Sequence, residues 1–146
     1  MAVATFTKYN SFIDELSKGG HNFSTPPALK LALTNTAPNA ASDTVWNTTV
    51  APAPAAANGY PAGGNTLTGV VGATAAGVFK LTITDTVFTA TAGGIGPFRY
   101  VVLYNTSTAP ANKLIGYYDN AASITLADTD TFTTDFDATN GVFTIA

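Results

Sequence analysis

The chain has 146 residues with a net charge of −3, room for one domain with a real core. Only 10% of its residues are charged, against roughly a quarter in an ordinary soluble domain. Its six basic residues are too scattered for a basic stripe, and it has no cysteine, which argues against nucleic-acid binding and excludes disulfides and thiolate metal sites.

Threonine and alanine fill the place of charge, as in Thr82, Thr84 and Thr86 or Thr129, Thr131, Thr133 and Thr134. A β-branched hydroxyl residue suits the outer face of a strand. A surface with so little long-range repulsion suits a part packed at high local concentration better than a free enzyme. The start, Met1 to Lys8, lacks the basic and apolar segments of a secretory signal. No apolar run of about 20 residues marks a membrane span.

Tyr9, Phe12, Ile13 and Leu16 recur at helical spacing and predict one short amphipathic helix. Thr7 is the expected N-cap, and Gly19-Gly20 the stop. So short a helix needs tertiary packing. Two placements are open: over an open end of its own domain, or as an arm on a neighbouring subunit.

From Pro26-Pro27 the period becomes two. Leu29, Leu31 and Leu33 alternate with Lys30, Ala32 and Thr34, predicting a half-buried strand. Thr44 to Thr48 predicts a short strand carrying Trp46. Residues 47–64 read as a long loop, with Pro52, Pro54 and Asn58-Gly59-Tyr60-Pro61 as turn chemistry; such loops are usually functional or held by a partner. Asn65 to Val71 is a weak strand.

Val78 to Phe88 is the strongest strand signal. Its alternation slips near Asp85, predicting a bulge or a bend into another strand. Gly93-Gly94-Ile95-Gly96-Pro97 is a turn, and Phe98 to Tyr104 a nearly continuous apolar, central strand. Leu114 to Tyr118 and Ser123 to Leu126 read as a hairpin joined at Asp119-Asn120. Thr131 to Phe136 and Val142 to Ile145 read as another, joined at Asn140-Gly141. Together these predict an all-β fold: one domain over 1–146, an antiparallel β-sandwich or jelly roll, with an arm and helix in 1–20.

Little points to catalysis. With His21 the single histidine, no His-based metal site can form within one chain, and a loop or capping role is expected. Asp128, Asp130, Asp135 and Asp137 form the one acidic cluster. They are read as solvated turn acids; their spacing matches no EF-hand, and a paired-carboxylate glycosidase would draw on the same residues. The glycine-rich turn at 93–97 lacks the Lys-Ser or Lys-Thr and the helix of a phosphate loop. Phe79, Phe98, Phe132, Phe136 and Phe143 sit on strand faces and are expected in the core. Trp46, Tyr60, Tyr117 and Tyr118 lie in or beside loops, where aromatics serve protein contacts or sugar stacking. Arg99, the single arginine, is either an interface anchor or the partner of a local acid.

One resemblance runs through these blocks. Lys8-Tyr9-Asn10-Ser11-Phe12-Ile13-Asp14-Glu15-Leu16 leads to Leu29-Lys30-Leu31-Ala32-Leu33-Thr34-Asn35-Thr36-Ala37-Pro38. Asn58-Gly59-Tyr60, Gly96-Pro97-Phe98-Arg99-Tyr100, and Ser123-Ile124-Thr125-Leu126 before Thr131-Phe132-Thr133 follow. From about Lys8 to Ile145 the chain resembles small structural proteins of tailed-bacteriophage virions. Within that group it is most similar to capsid decoration, or cement, proteins.

The resemblance implies a compact β-fold bound to the capsid exterior of the virion, made in the bacterial host cytoplasm. It implies the major capsid protein as partner, whose neighbouring subunits it would bridge, and a homo-oligomer or symmetric array on the shell. No enzymatic activity, cofactor, metal, nucleic-acid or membrane partner is implied. Phe6 and Phe12 from the arm, with Trp46, Tyr60 and Arg99 from loops and strand ends, are the candidate partner contacts. Two alternatives stand beside it. One is a tail- or fibre-associated adhesin stacking a host-surface glycan on Trp46, Tyr60, Tyr117 and Tyr118. The other is a small cell-wall hydrolase using the four clustered aspartates.

Overall fold

The computed structural model describes residues 4–23, 28–46, 54, 56–107 and 111–146. Among them the chain is all-β and sandwich-like, with one helix and multiple antiparallel sheets. The strands are β1 (Phe6–Lys8), β2 (Leu29–Thr34), β3 (Asn65–Thr66), β4 (Val71–Ala75) and β5 (Val78–Thr82). After them come β6 (Thr86–Thr89), β7 (Ile95–Asn105), β8 (Lys113–Leu126), β9 (Thr131–Thr134) and β10 (Phe143–Ile145). A five-stranded sheet runs β1-β8-β7-β2-β3, a three-stranded sheet β10-β5-β4, and a two-stranded sheet β6-β9.

Register shows which face of the large sheet meets the second. Phe6 lies opposite Tyr118, Tyr118 opposite Val101, and Val101 opposite Leu33. Residues directly opposite share a face, and Phe6 stacks on Phe143 of β10 with ring centroids 6.1 Å apart. This row therefore faces the small sheet. The other face, with Ala32, Val102 and Tyr104, is covered by the segment that leads from β2 to Trp46, which stacks on Tyr104. Covered on both sides, β2 buries Ala32 and Thr34 as completely as its three leucines. The expected half-buried strand is thus a central one.

The helix α1 (Asn10–Ser17) packs on its own domain. Thr7 lies in β1 rather than at the N-cap; Tyr9 holds that position, and no side chain caps the helix. Gly19 supplies the expected stop at φ 73°, and the Gly20 N–H closes on the Glu15 carbonyl at 2.7 Å. Tyr9 and Phe12 are buried and Leu16 partly so. Ile13 is 50% exposed, because it sits about 100° around the helix from Phe12.

Two expected hairpins are absent. Residues 113–126 form one continuous strand, β8, whose two halves both pair with β7. Asp119 and Asn120 make a local irregularity, not a reversal: the Ala121 N–H bonds to the Asp119 carboxylate, with Ala121 at φ 65°. Likewise β9 pairs with β6 and β10 with β5, so Asn140-Gly141 turns the chain between two sheets. The slip near Asp85 is the predicted bend, separating β5 from β6. The glycine-rich turn is where expected, but β7 begins within it, at Ile95, and Gly96-Pro97 is cis. The Thr44–Thr48 strand reduces to a bridge between Val45 and Lys113, its last residues lying outside those described. No helix among the described residues is long and apolar enough to cross a membrane.

Because Phe12 is wholly buried against its own domain, Phe12→Ala is expected to destabilise the isolated protein by ~3–4 kcal/mol. Urea unfolding checks this; an unchanged midpoint would mean that the helix belongs to a neighbour.

Candidate functional site

Structure redistributes the five candidate contacts. Phe12, Trp46 and Tyr60 are buried side chains of the core and offer no surface to a partner in this fold. Trp46 is only 4% exposed, stacked on Tyr104. Tyr60 is held through its hydroxyl, which accepts the Leu33 N–H at 3.0 Å, and burial pushes its pKa up to about 12. The left-handed Asn58-Gly59 pair aims it inward, where it stacks on Phe88. Loop composition marked both residues as exposed, but their rings fill gaps beneath the loops. Most of the 47–64 loop before residue 56 lies outside the described residues. Phe6 is half-buried, lying across Gly116, where a side chain would collide with its ring.

Arg99 stays partly at the surface, its side chain 39% exposed. Its Nε and Nη2 donate to the two Asp119 carboxylate oxygens at 2.7 and 2.8 Å, and its guanidinium lies over the Tyr100 ring, 5.1 Å from the centroid. Hydrogen bonds from Arg99 and from the Ala121 amide hold the Asp119 carboxyl below its usual range. The pair fixes β7 to β8 at the irregularity and presents a planar, charge-balanced patch.

Three of the clustered aspartates close turns, their oxygens engaged by backbone amides. Asp128 accepts the Ala92 N–H, Asp130 the Ala127 N–H, and Asp137 those of Thr139 and Asn140. These bonds hold the Asp137 carboxyl low.

Sequence reasoning missed a buried polar node between α1 and β8. Lys113 pairs with Glu15, 98 positions away, with the lysine side chain only 8% exposed. Beside them His21 is buried, ring-stacked on Phe23 and edge-on to Phe12. Asn105 Oδ1 accepts from the Ser107 amide and hydroxyl, which turns the Asn105 Nδ2 toward His21 Nδ1 at 3.4 Å. With Nδ1 as acceptor the imidazole proton sits on Nε2, which has no hydrogen-bond partner among the described residues. Desolvation, reinforced by the Lys113 charge, lowers the His21 pKa to about 4. No local signal pairs residues so far apart; the clue was a basic residue ahead of an apolar run, at Lys113-Leu114-Ile115.

Two depressions flank Trp46. A cavity of about 100 Å³ lies under the segment after β2, lined by Tyr9, Val102 and Leu114. A wider groove of about 380 Å³ is lined by Lys30, Gly63, Tyr104 and Asn112. The tyrosine hydroxyl there donates to the Gly63 carbonyl and Lys30 to that of Ala62, so the groove's polar chemistry serves its own walls. No group of three potential metal-ligating side chains occurs among the described residues. No protein-family model, curated protein or solved structure matches the chain.

Two outcomes are expected of the buried node. His21 is neutral when folded, with its pKa below the ordinary 6.5, so between these values the unfolded chain binds the extra proton. Stability from this residue is complete above pH 6.5 and is lost as pH falls toward 4, by up to ~3 kcal/mol. His21→Asn should flatten that part of the stability–pH curve, and the lone imidazole should titrate near 4 by proton NMR. Glu15→Gln, which removes the negative charge paired with the buried Lys113, should destabilise by ~2–3 kcal/mol. Adding Lys113→Met should recover part of that loss in a double-mutant cycle.

Proposed function

We propose that this protein is a structural component of a tailed-phage virion, a decoration protein that binds the outside of the shell and bridges its major capsid subunits. One observation carries the reading: the blocks on which the resemblance rests are scaffold. Leu29 to Thr34 is an inner strand buried on both faces, Asn58-Gly59-Tyr60 the turn that buries Tyr60, and Phe98 a buried ring of β7 beside the Arg99–Asp119 pair. A chain whose recognisable blocks build its β-frame leaves its surface free for contacts, which supports a structural role.

Surface composition supports the same reading. The exposed strand faces are rich in threonine and alanine, with little charge to repel identical neighbours. A protein that binds only the assembled shell stabilises it by mass action, and many symmetric copies make modest contacts sufficient. The glycan-binding alternative loses half of its stacking platform, since Trp46 and Tyr60 are buried, while Tyr117 and Tyr118 are partly so.

The deciding experiment is quantitative mass spectrometry of purified virions against the major capsid protein. A ratio of about one copy per few capsid subunits is expected for a symmetric array. A handful of copies per particle would move the protein to the tail, and its absence would overturn a virion role.

A further inference from the structure

Among the described residues, the outer edge of β4 lacks the usual protection of an edge strand. Natural edges are blunted by charge, proline, bulges or brevity. β4 reads Val71-Gly72-Ala73-Thr74-Ala75, pairs only with β5, and has exposed residues along nearly its whole length. Other edges among the described residues are managed. β1 carries Lys8 and runs straight into the helix, while β3 has two residues and β10 three. The β6 edge is met by Asn65, whose Nδ2 donates to the Val87 carbonyl. β9 is flanked by Asp128, Asp130, Asp135 and Asp137.

Turn geometry tells which groups this edge displays. β4 and β5 are joined by Ala76 and Gly77, both at positive φ (50° and 80°), with Ala75 opposite Val78. A two-residue turn of this hand closes on a hydrogen-bonded pair, and the ladder then alternates. Ala75, Ala73 and Val71 therefore direct their backbone groups to β5. In agreement, the Thr82 hydroxyl donates to the Val71 carbonyl at 3.3 Å. The N–H and C=O groups of Gly72 and Thr74 point away from the sheet.

We infer that this edge pairs with the same edge of a second copy, antiparallel about a two-fold axis through Ala73. In that register Gly72 faces Thr74 and Thr74 faces Gly72, each pair exchanging two N–H···O bonds. Ala73 faces Ala73 as the non-hydrogen-bonded pair between them. The arrangement is isologous and self-complementary, and it joins two three-stranded sheets into one.

Side chains agree with that occupant. Val71 and Val78 are two of the four large apolar side chains exposed among the described residues, at 55% and 37%. Val71 of one copy lands beside Ala75 of the other and next in line to its Val78, so both valines gain apolar cover. The flanking cation, Lys80, is drawn toward its own chain by the Thr139 carbonyl at 2.8 Å and is separated from its symmetry mate by both Ala73 residues. So short an edge buries well under the ~1,000 Å² of a stable interface. The free dimer is therefore weak and gains strength where copies are held close. This inference rests on the edge geometry and not on the shell reading; either can fail without the other.

The test uses the absence of native cysteine. At the two-fold axis the Ala73 Cα atoms lie about 4.5 Å apart, within the disulfide range. Ala73→Cys at millimolar concentration under mild oxidation should form disulfide dimers at least about tenfold faster than Val87→Cys, a collision control on another sheet. Ala73→Lys and Ala73→Glu should each remain monomeric by sedimentation velocity while keeping the wild-type circular dichroism. Their equimolar mixture should associate. Equal cross-linking rates at Ala73 and Val87, or association of Ala73→Lys alone, would overturn the pairing; the first would point to a shell strand or no strand as the occupant.

Discussion

Phe143 lies against four rings from four separate parts of the chain: Phe6 of β1, Phe12 of α1, Phe23 beyond the helix, and Phe79 of β5. β10, which carries it, has only three residues and pairs with β5 alone. Its backbone can contribute little, so the ring contacts hold the end of the chain against its beginning. Edge and offset ring geometries each add about 0.5–1.5 kcal/mol beyond area burial. The helix needs this cluster most, since it has eight residues and no side-chain cap. Such a helix has little stability of its own.

The same cluster constrains the polar chemistry beside it. His21 lies parallel to Phe23 and must stay neutral, because a charge there would be desolvated and would face Lys113. Glu15 answers that lysine from the helix. Closing the sandwich end thus consumes the single histidine, the single glutamate and a buried lysine in positioning α1. Arg99 and Asp119 are consumed in joining β7 to β8. Five ionisable side chains, His21, Glu15, Lys113, Arg99 and Asp119, are thus engaged in assembling the frame.

Local pattern made much of this frame legible. The two-residue period at Leu29 to Leu33, the slip at Asp85 and the glycine stop after the helix are nearest-neighbour signals, and each appears where expected. What failed was any inference from turn chemistry to strand pairing. Asp119-Asn120 and Asn140-Gly141 have hairpin composition, yet one is absorbed as an irregularity within β8 and the other links two sheets. A turn dipeptide states how the backbone bends, not which strand waits on the other side. The expected exposure of the loop aromatics failed for a related reason. Trp46 and Tyr60 stand in loop sequence, and composition cannot show that a loop folds back to cover a sheet face. Arg99 was read more closely, because a lone arginine in a nearly uncharged chain has few partners to choose from.

Low charge has a structural consequence that links frame to function. Most β proteins guard their edges with lysine and glutamate, and a chain with six basic and nine acidic residues cannot do so everywhere. Its charges instead go to specific tasks: Lys8 on β1, Lys113 in the helix clamp, and aspartates at the turns around β9. The remaining edges are guarded by brevity or by a side-chain amide. Among the described residues, only β4 combines five residues, no charge and an exposed valine, with Val78 of β5 exposed beside it. In a freely diffusing protein that edge would be a liability for uncontrolled pairing. In a self-complementary register it closes on one mate and offers no further edge of the same kind, since each copy has used its own. The poverty of charge that leaves the surface with little repulsion between copies therefore also leaves the β4 edge unguarded among the described residues, and that is where the inferred pairing joins two copies.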